Sequence, residues 1–144
     1  MSLITEKNNI NSEEHILVCL SAAPSNKKII DTATKMAEGL QARFTALYVQ
    51  TGTKAEAMDK ERLEEHIRYA EKLGAEIVMT HGENIPVQIA EYARLSNVTK
   101  IVIGQSNARR NHFFSKVTLT EKLIEIVPDI DIHIIPDTVK TGNY

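Results

Sequence analysis

The chain has 144 residues, 42% of them hydrophobic, with 17 Lys and Arg against 19 Asp and Glu for a formal net charge of −2. That length suits one domain with a core that needs no disulfide staples. The near-balanced charge argues against nucleic-acid binding, which calls for a basic face. The lone cysteine, Cys19, sits in an apolar run and fits a reducing, intracellular setting. No apolar run reaches the roughly 18–20 residues needed to cross a bilayer. Thr5–Ser12 and Asp137–Tyr144 are polar and aperiodic. Residues 1–13 and 137–144 therefore read as a disordered leading segment or tag remnant and a tail around a domain over 14–136.

In chain order, Ile16–Leu20 is a short apolar run and predicts a buried strand. Ser21–Asn26 is a loop, with Ser25 placed to cap the helix that follows. Lys28–Leu40 carries Ile29, Ala33, Met36 or Ala37, and Leu40 at helical spacing, with Gly39 weakening its end. Arg43–Val49 is rich in β-branched and aromatic residues and predicts a second strand. On that strand Phe44, Ala46 and Tyr48 face one side, and Thr45, Leu47 and Val49 the other. Thr51–Met58 reads as a polar, mobile connection. Asp59–Leu73 predicts a helix capped by Asp59 and ended by Gly74.

Ala75–Met79 predicts a third strand. Asn84–Leu95 is a helix with Asn84 as cap and Pro86 in its first turn. Lys100–Gly104 is a fourth strand, and Gln105–Lys116 a long polar loop. Thr118 and Glu121 form a capping-box pattern opening a helix to Val127. Ile130–Ile135 is a fifth strand, stopped by Pro136.

Alternating strands and helices of these lengths predict an α/β fold, an open, doubly wound, five-stranded parallel sheet with helices on both faces. Its order is 3-2-1-4-5, and the reversal between strands one and four opens a crevice between the loops after Leu20 and Ile103. The fifth strand is then an edge. Its apolar Ile130–Ile135 run predicts pairing with a second copy.

No Gly-x-x-x-x-Gly-Lys or Gly-x-Gly-x-x-Gly pattern occurs, and His15, His66, His81, His112 and His133 lack metal-ligand spacing. Ser21 lies in no Gly-x-Ser-x-Gly elbow, so it reads as a hydroxyl donor to a ligand rather than as a nucleophile. Arg109 and Arg110 are guanidinium forks suited to phosphate, and Tyr48, at the carboxyl end of its strand, offers a face on which a purine can stack. Cys19 reads as a small core residue.

The runs EEHILVCLS (Glu13–Ser21), RFTALYV (Arg43–Val49), ERLEEHIRYAEKLGAE (Glu61–Glu76), AEYARLSNVTKIVIGQS (Ala90–Ser106) and PDIDIHII (Pro128–Ile135) resemble universal-stress-protein domains. More narrowly, they resemble those in the cytoplasmic N-terminal part of Kdp-type potassium sensor histidine kinases. The resemblance implies an adenine-nucleotide-hydrolase-like fold without catalytic residues and without a required cofactor or metal. The domain would work as a regulatory element of a membrane-anchored two-component kinase, in contact with that kinase's other domains.

ATP-binding members of the family carry an Asp shortly after strand one, where Ser21 stands here. They also carry Gly-x-x-Gly, nine residues, then Gly-Ser/Thr after strand four. This chain keeps Gly104 but has Asn107, and Val117 with Thr118, at the later positions, which sets it apart from that mode. A second family pattern, for cyclic di-AMP, is a small residue, Ser-x-Ser-x-x-Asn, then Phe-Thr-Ala-x-Tyr. Cys19, Ser21, Asn26 and Phe44–Tyr48 match it, with Ala23 in place of the second serine. The resemblance thus implies cyclic di-AMP or another adenine nucleotide as ligand. The residues expected around it are Ser21, Ala23, Ser25, Asn26, Phe44, Thr45, Tyr48, Gly104, Ser106, Arg109 and Arg110. The competing readings are a dimerisation or docking platform that binds no nucleotide, and an ATP-binding stress protein.

Overall fold

The computed structural model describes residues 13–109 and 117–137. Arg110, His112 and the remainder of the 110–116 stretch lie outside the described residues, as do 1–12 and 138–144.

The strands are β1 (His15–Cys19), β2 (Arg43–Gln50), β3 (Glu76–His81), β4 (Lys100–Gly104) and β5 (Asp131–Ile135). They form one sheet in the order β3-β2-β1-β4-β5, with every neighbouring pair parallel. The helices are α1 (Asn26–Leu40), α2 (Lys54–Met58), α3 (Lys60–Lys72), α4 (Ile85–Leu95), α5 (Gln105–Ala108) and α6 (Leu119–Ile126).

Alternation along β1 divides the core. Ile16 and Val18 pack with Ile29, Ile30 and Ala33 of α1 and with Leu63 and Ala70 of α3. Leu17 and Cys19 pack on the other side with Ile89 and Ala93 of α4 and Leu123 of α6. The central strand is buried along its whole length, as its unbroken apolar sequence requires. The predicted fold class and strand order are those observed.

Several local signals act as expected. Asn84 Oδ1 accepts from the Val87 amide at 3.4 Å, and Pro86 lies in the first turn of α4. Thr118 and Glu121 close a reciprocal capping box on α6. Gly74 follows α3 at φ 102°, a left-handed conformation that costs glycine least. Three expectations need correction. Ser25 and Asp59 make no side-chain cap, because Ser25 Oγ instead donates to Asp137 Oδ1 at 3.2 Å and the α3 start stays open at Asp59. The connection after β2 contains a helical turn, α2, and the loop after β4 begins with another, α5. The alternation of Asp131 and His133 with isoleucines reads as a strand covered on one face only, but Ile132 packs toward α4 and α6 while Ile135 packs toward α1 and α3, so both faces of the edge strand β5 are partly covered.

Below the crevice, the base of the sheet is pinned by His15, which is 1% exposed. Its Nδ1 lies 2.9 Å from the Ser96 carbonyl oxygen and its Nε2 2.7 Å from Thr45 Oγ1. The carbonyl can only accept, so Nδ1 carries the proton and Nε2 accepts from the threonine hydroxyl. Burial, ahead of the nearby Arg43, lowers the His15 pKa below its usual 6.5. The folded state therefore favours neutral imidazole. This contribution to stability is whole above pH 6.5 and is lost as pH falls from there toward the lower folded-state value. Urea unfolding is expected to show a lower midpoint at pH 5 than at pH 7.5, with the difference reduced in His15→Gln. An equal pH dependence in the variant would assign the effect to other groups.

Candidate functional site

Where β1 and β2 end, the chain parts around a cavity of about 660 Å³. Cys19, Leu20, Leu47 and Val49 form its floor, and the Ser21–Pro24 loop forms one wall. Tyr48, Thr51, Thr53 and Glu56 form the opposite wall. Asp59, Arg62 and Leu63 of the α3 region, Glu83, Ile85 and Ile89, and then Asn107 and Leu119 complete the lining. The site lies at the reversal of strand order between β1 and β4, where an open α/β sheet exposes the carboxyl ends of its strands.

The first wall is held from within. Ser21 Oγ accepts from the Ala23 amide at 3.2 Å, and Asn26 Oδ1 accepts from the Ser21 amide at 3.3 Å. The Ser21 carbonyl meets His66 Nδ1 at 2.8 Å, and the Ala22 carbonyl accepts from Arg62 at 3.2 Å, so α3 carries this loop from behind. His66 thus reaches the main-chain oxygen of Ser21 and not its hydroxyl. Among the described residues no base is bonded to that hydroxyl. Burial pushes the Cys19 thiol up to about 12, so at neutral pH the floor is an uncharged thiol. Among the described residues there is no cluster of three or more potential metal ligands.

The second wall centres on a carboxylate. Glu56 accepts from the Tyr48 hydroxyl, the Thr51 amide at 2.9 Å and the Gly52 amide at 3.0 Å. Burial pushes the Glu56 carboxyl up, but these donors outweigh it and hold it below its ordinary value. Burial and then the Glu56 carboxylate push the Tyr48 phenol up, so the tyrosine remains a neutral donor.

Of the residues expected around a ligand, Ser21, Ala23 and Tyr48 line the cavity. Asn26 is fully buried beneath the loop it braces, and its Nδ2 has no hydrogen-bond partner among the described residues. Thr45 shares the face of Leu47 and Val49 but lies lower on β2, where it meets His15 and, at 3.5 Å, the Tyr92 hydroxyl. Phe44 packs in the α1 and α3 core, one helix-facing position below Ala46. Ser25 and Ser106 both bind the Asp137 carboxylate, Ser106 through its amide and its hydroxyl. Gly104 allows close approach rather than a special backbone angle. A Cβ there would fall 2.5 Å from Ile29 Cδ1 and 2.8 Å from Asp137 Oδ1. Arg109 is exposed and outside the lining, and Arg110 lies outside the described residues.

Among the polar lining residues, Thr51, Thr53, Glu56, Asp59, Arg62, Glu83 and Asn107 were not among the expected ligand contacts. One signal for two of them was present. Thr53-Lys-Ala-Glu56 is a capping-box pattern, and Thr53 Oγ1 does accept from the Glu56 amide at 3.2 Å.

No protein-family model matches the chain. It is 41% identical over 130 residues to "Sensor protein KdpD" of Clostridium acetobutylicum, covering 88% of this chain and 14% of that protein. It is 28% identical over 123 residues to "Sensor protein KdpD" of Escherichia coli, covering 84% of this chain and 14% of that protein. The chain thus spans about a seventh of the length of these relatives. Among solved structures it superposes on the universal stress protein UspA from Lactobacillus plantarum with a TM-score of 0.61 at 19% identity, covering 87% and 99% of the two chains. It superposes on a universal stress protein in complex with cAMP with a TM-score of 0.63 at 15% identity, covering 89% and 100%. A third such structure, from Archaeoglobus fulgidus, is a complex with dAMP, with a TM-score of 0.58 at 17% identity and coverage of 85% and 97%.

Proposed function

We propose, from the premise that this chain is a universal-stress-protein domain of the kind carried by Sensor protein KdpD, that it is a non-catalytic regulatory module. It binds an adenine nucleotide of the cyclic di-AMP type in the cavity between the loops after β1 and β4. It relays that occupancy to other domains of a potassium-responsive histidine kinase at the cytoplasmic face of the membrane.

The observation that carries this reading is the cavity itself. Its volume of about 660 Å³ falls within the range of roughly 300–1,000 Å³ that small-molecule sites occupy. It combines an apolar floor, an aromatic wall at Tyr48 and hydrogen-bonding groups at Ser21, Thr51 and Asn107. The universal stress proteins crystallised with cAMP and dAMP support adenine as the base. Glycines let a loop's amides close on phosphates. Asn107 in the lining and Val117 beyond it, where ATP-binding members carry glycines, favour a compact phosphodiester over a triphosphate. The edge strand β5, with Ile134 at 44% exposure, is left for a neighbouring domain or a second copy.

Calorimetric titration of the chain with cyclic di-AMP, cAMP and ATP tests the proposal. Micromolar or tighter binding of cyclic di-AMP, with ATP weaker, is the expected result. No binding of any of the three at high micromolar ligand would overturn it. Sedimentation of the same preparation reads whether the Ile130–Ile135 edge pairs two copies.

A further inference from the structure

The wall of the cavity opposite Ser21 is built from a stretch with little core of its own. Thr51 is half-buried, Gly52, Thr53 and Lys54 are exposed, and Met58 at the end of α2 is 86% exposed. Apolar burial therefore contributes little to its shape, and the polar groups must supply the order.

They converge on one side chain. Glu56 Oε2 accepts from the Tyr48 hydroxyl, from the Thr51 amide at 2.9 Å and from the Thr51 hydroxyl at 3.4 Å. Glu56 Oε1 accepts from the Gly52 amide at 3.0 Å, and the Glu56 amide in turn donates to Thr53 Oγ1 at 3.2 Å. One carboxylate thus ties the end of β2, the turn after it and the first turn of α2 to the ring of Tyr48. Gly52, at φ 76°, lets the turn fold back so that both amides point at the same group.

We propose that Glu56 is the positioning residue of the cavity. It acts through Tyr48 and the Thr51–Thr53 turn, holding them as a preformed wall against which the flat face of a ligand base packs. The inference rests on the nucleotide reading above and adds to it the residue that keeps the site in binding shape. A wall ordered before binding spares the ligand the cost of ordering it, and affinity rises accordingly. The lowered Glu56 pKa agrees with a carboxylate that stays ionised and multiply bonded at neutral pH.

The test uses the 144-residue chain and its Glu56→Ala and Glu56→Gln variants. In Glu56→Ala the Thr51 and Gly52 amides are expected to exchange hydrogen about tenfold faster or more, since loss of a charged acceptor removes a strong hydrogen bond. Cyclic di-AMP affinity is expected to fall about tenfold, while the thermal midpoint moves little because the wall lies outside the core. Glu56→Gln keeps one acceptor oxygen and should recover part of both losses, a rescue that a general packing defect would not give.

Unchanged exchange at Thr51 and Gly52 would overturn the proposal. So would faster exchange with unchanged affinity, because the wall would then be ordered by Glu56 without serving the ligand. If the parent chain takes up no adenine nucleotide, the nucleotide reading falls, and the exchange measurement still decides whether Glu56 holds the wall.

Discussion

Replacing Tyr48 with alanine is expected to weaken cyclic di-AMP binding by about 10- to 100-fold, measured by calorimetry at fixed salt. Stacking of a base on an aromatic side chain contributes about 1–3 kcal/mol by alanine substitution, which sets the scale. Tyr48 is suited to that role by position. It is the β2 residue that points toward the α1 and α3 side at the level of the cavity, where β2 runs out into the Thr51 turn. Its ring is half-buried and its hydroxyl is held by Glu56, so the ring has a fixed plane. Truncation removes the packing surface and also takes one of several donors from the Glu56 carboxylate. Tyr48→Phe separates the two effects, because it keeps the ring and loses the hydroxyl. It should cost far less than Tyr48→Ala. Equal affinities in the parent chain and Tyr48→Ala would place the ligand elsewhere.

Leu17→Ala is expected to lower the free energy of unfolding by about 2–5 kcal/mol, read from urea denaturation at pH 7.5. Leu17 is fully buried on the central strand, opposite Thr45 on β2 and Ile101 on β4. It lies in the core with Ile89, Ala93 and Leu123. Its neighbours belong to strands paired on both sides, so the surroundings have little freedom to collapse into the space left behind. Leu95→Ala is the matched comparison. Leu95 ends α4 at 85% exposure, and its loss should change stability by no more than about 0.5 kcal/mol. A small effect at Leu17 would mean that the sheet is less tightly packed at its centre than its burial indicates.

The fold was legible in the sequence because its signals are periodic and repeated. Runs such as Ile16–Leu20 and Lys100–Gly104 admit few alternatives to buried parallel strands, and the spacing of helical segments between them leaves little choice of topology. The site was legible only where a residue's direction followed from strand alternation, as at Tyr48. Thr45 illustrates the limit. It belongs to the same Phe-Thr-Ala-x-Tyr run and to the face of Leu47 and Val49, which do reach the cavity, yet it sits lower on β2, where its hydroxyl meets His15. Ser25 sat where a helix cap belongs, but a carboxylate more than a hundred residues away competes for its hydroxyl. No local pattern records such a competitor. The helical turn at Lys54–Met58 was missed for a different reason. A single turn is too short to show a period, and its order comes from the converging bonds of Glu56 rather than from an apolar stripe.

Asp137 gives the domain an unusual mechanical layout. The chain leaves β5 and at once binds the start of α1 through Ser25 and the start of α5 through Ser106, while Lys28 Nζ donates to the Pro136 carbonyl at 2.9 Å. The two helices begin on opposite banks of the crevice, so this exit point works as a strap across it. A load applied at Asp137 is therefore shared between β5 and the starts of both helices.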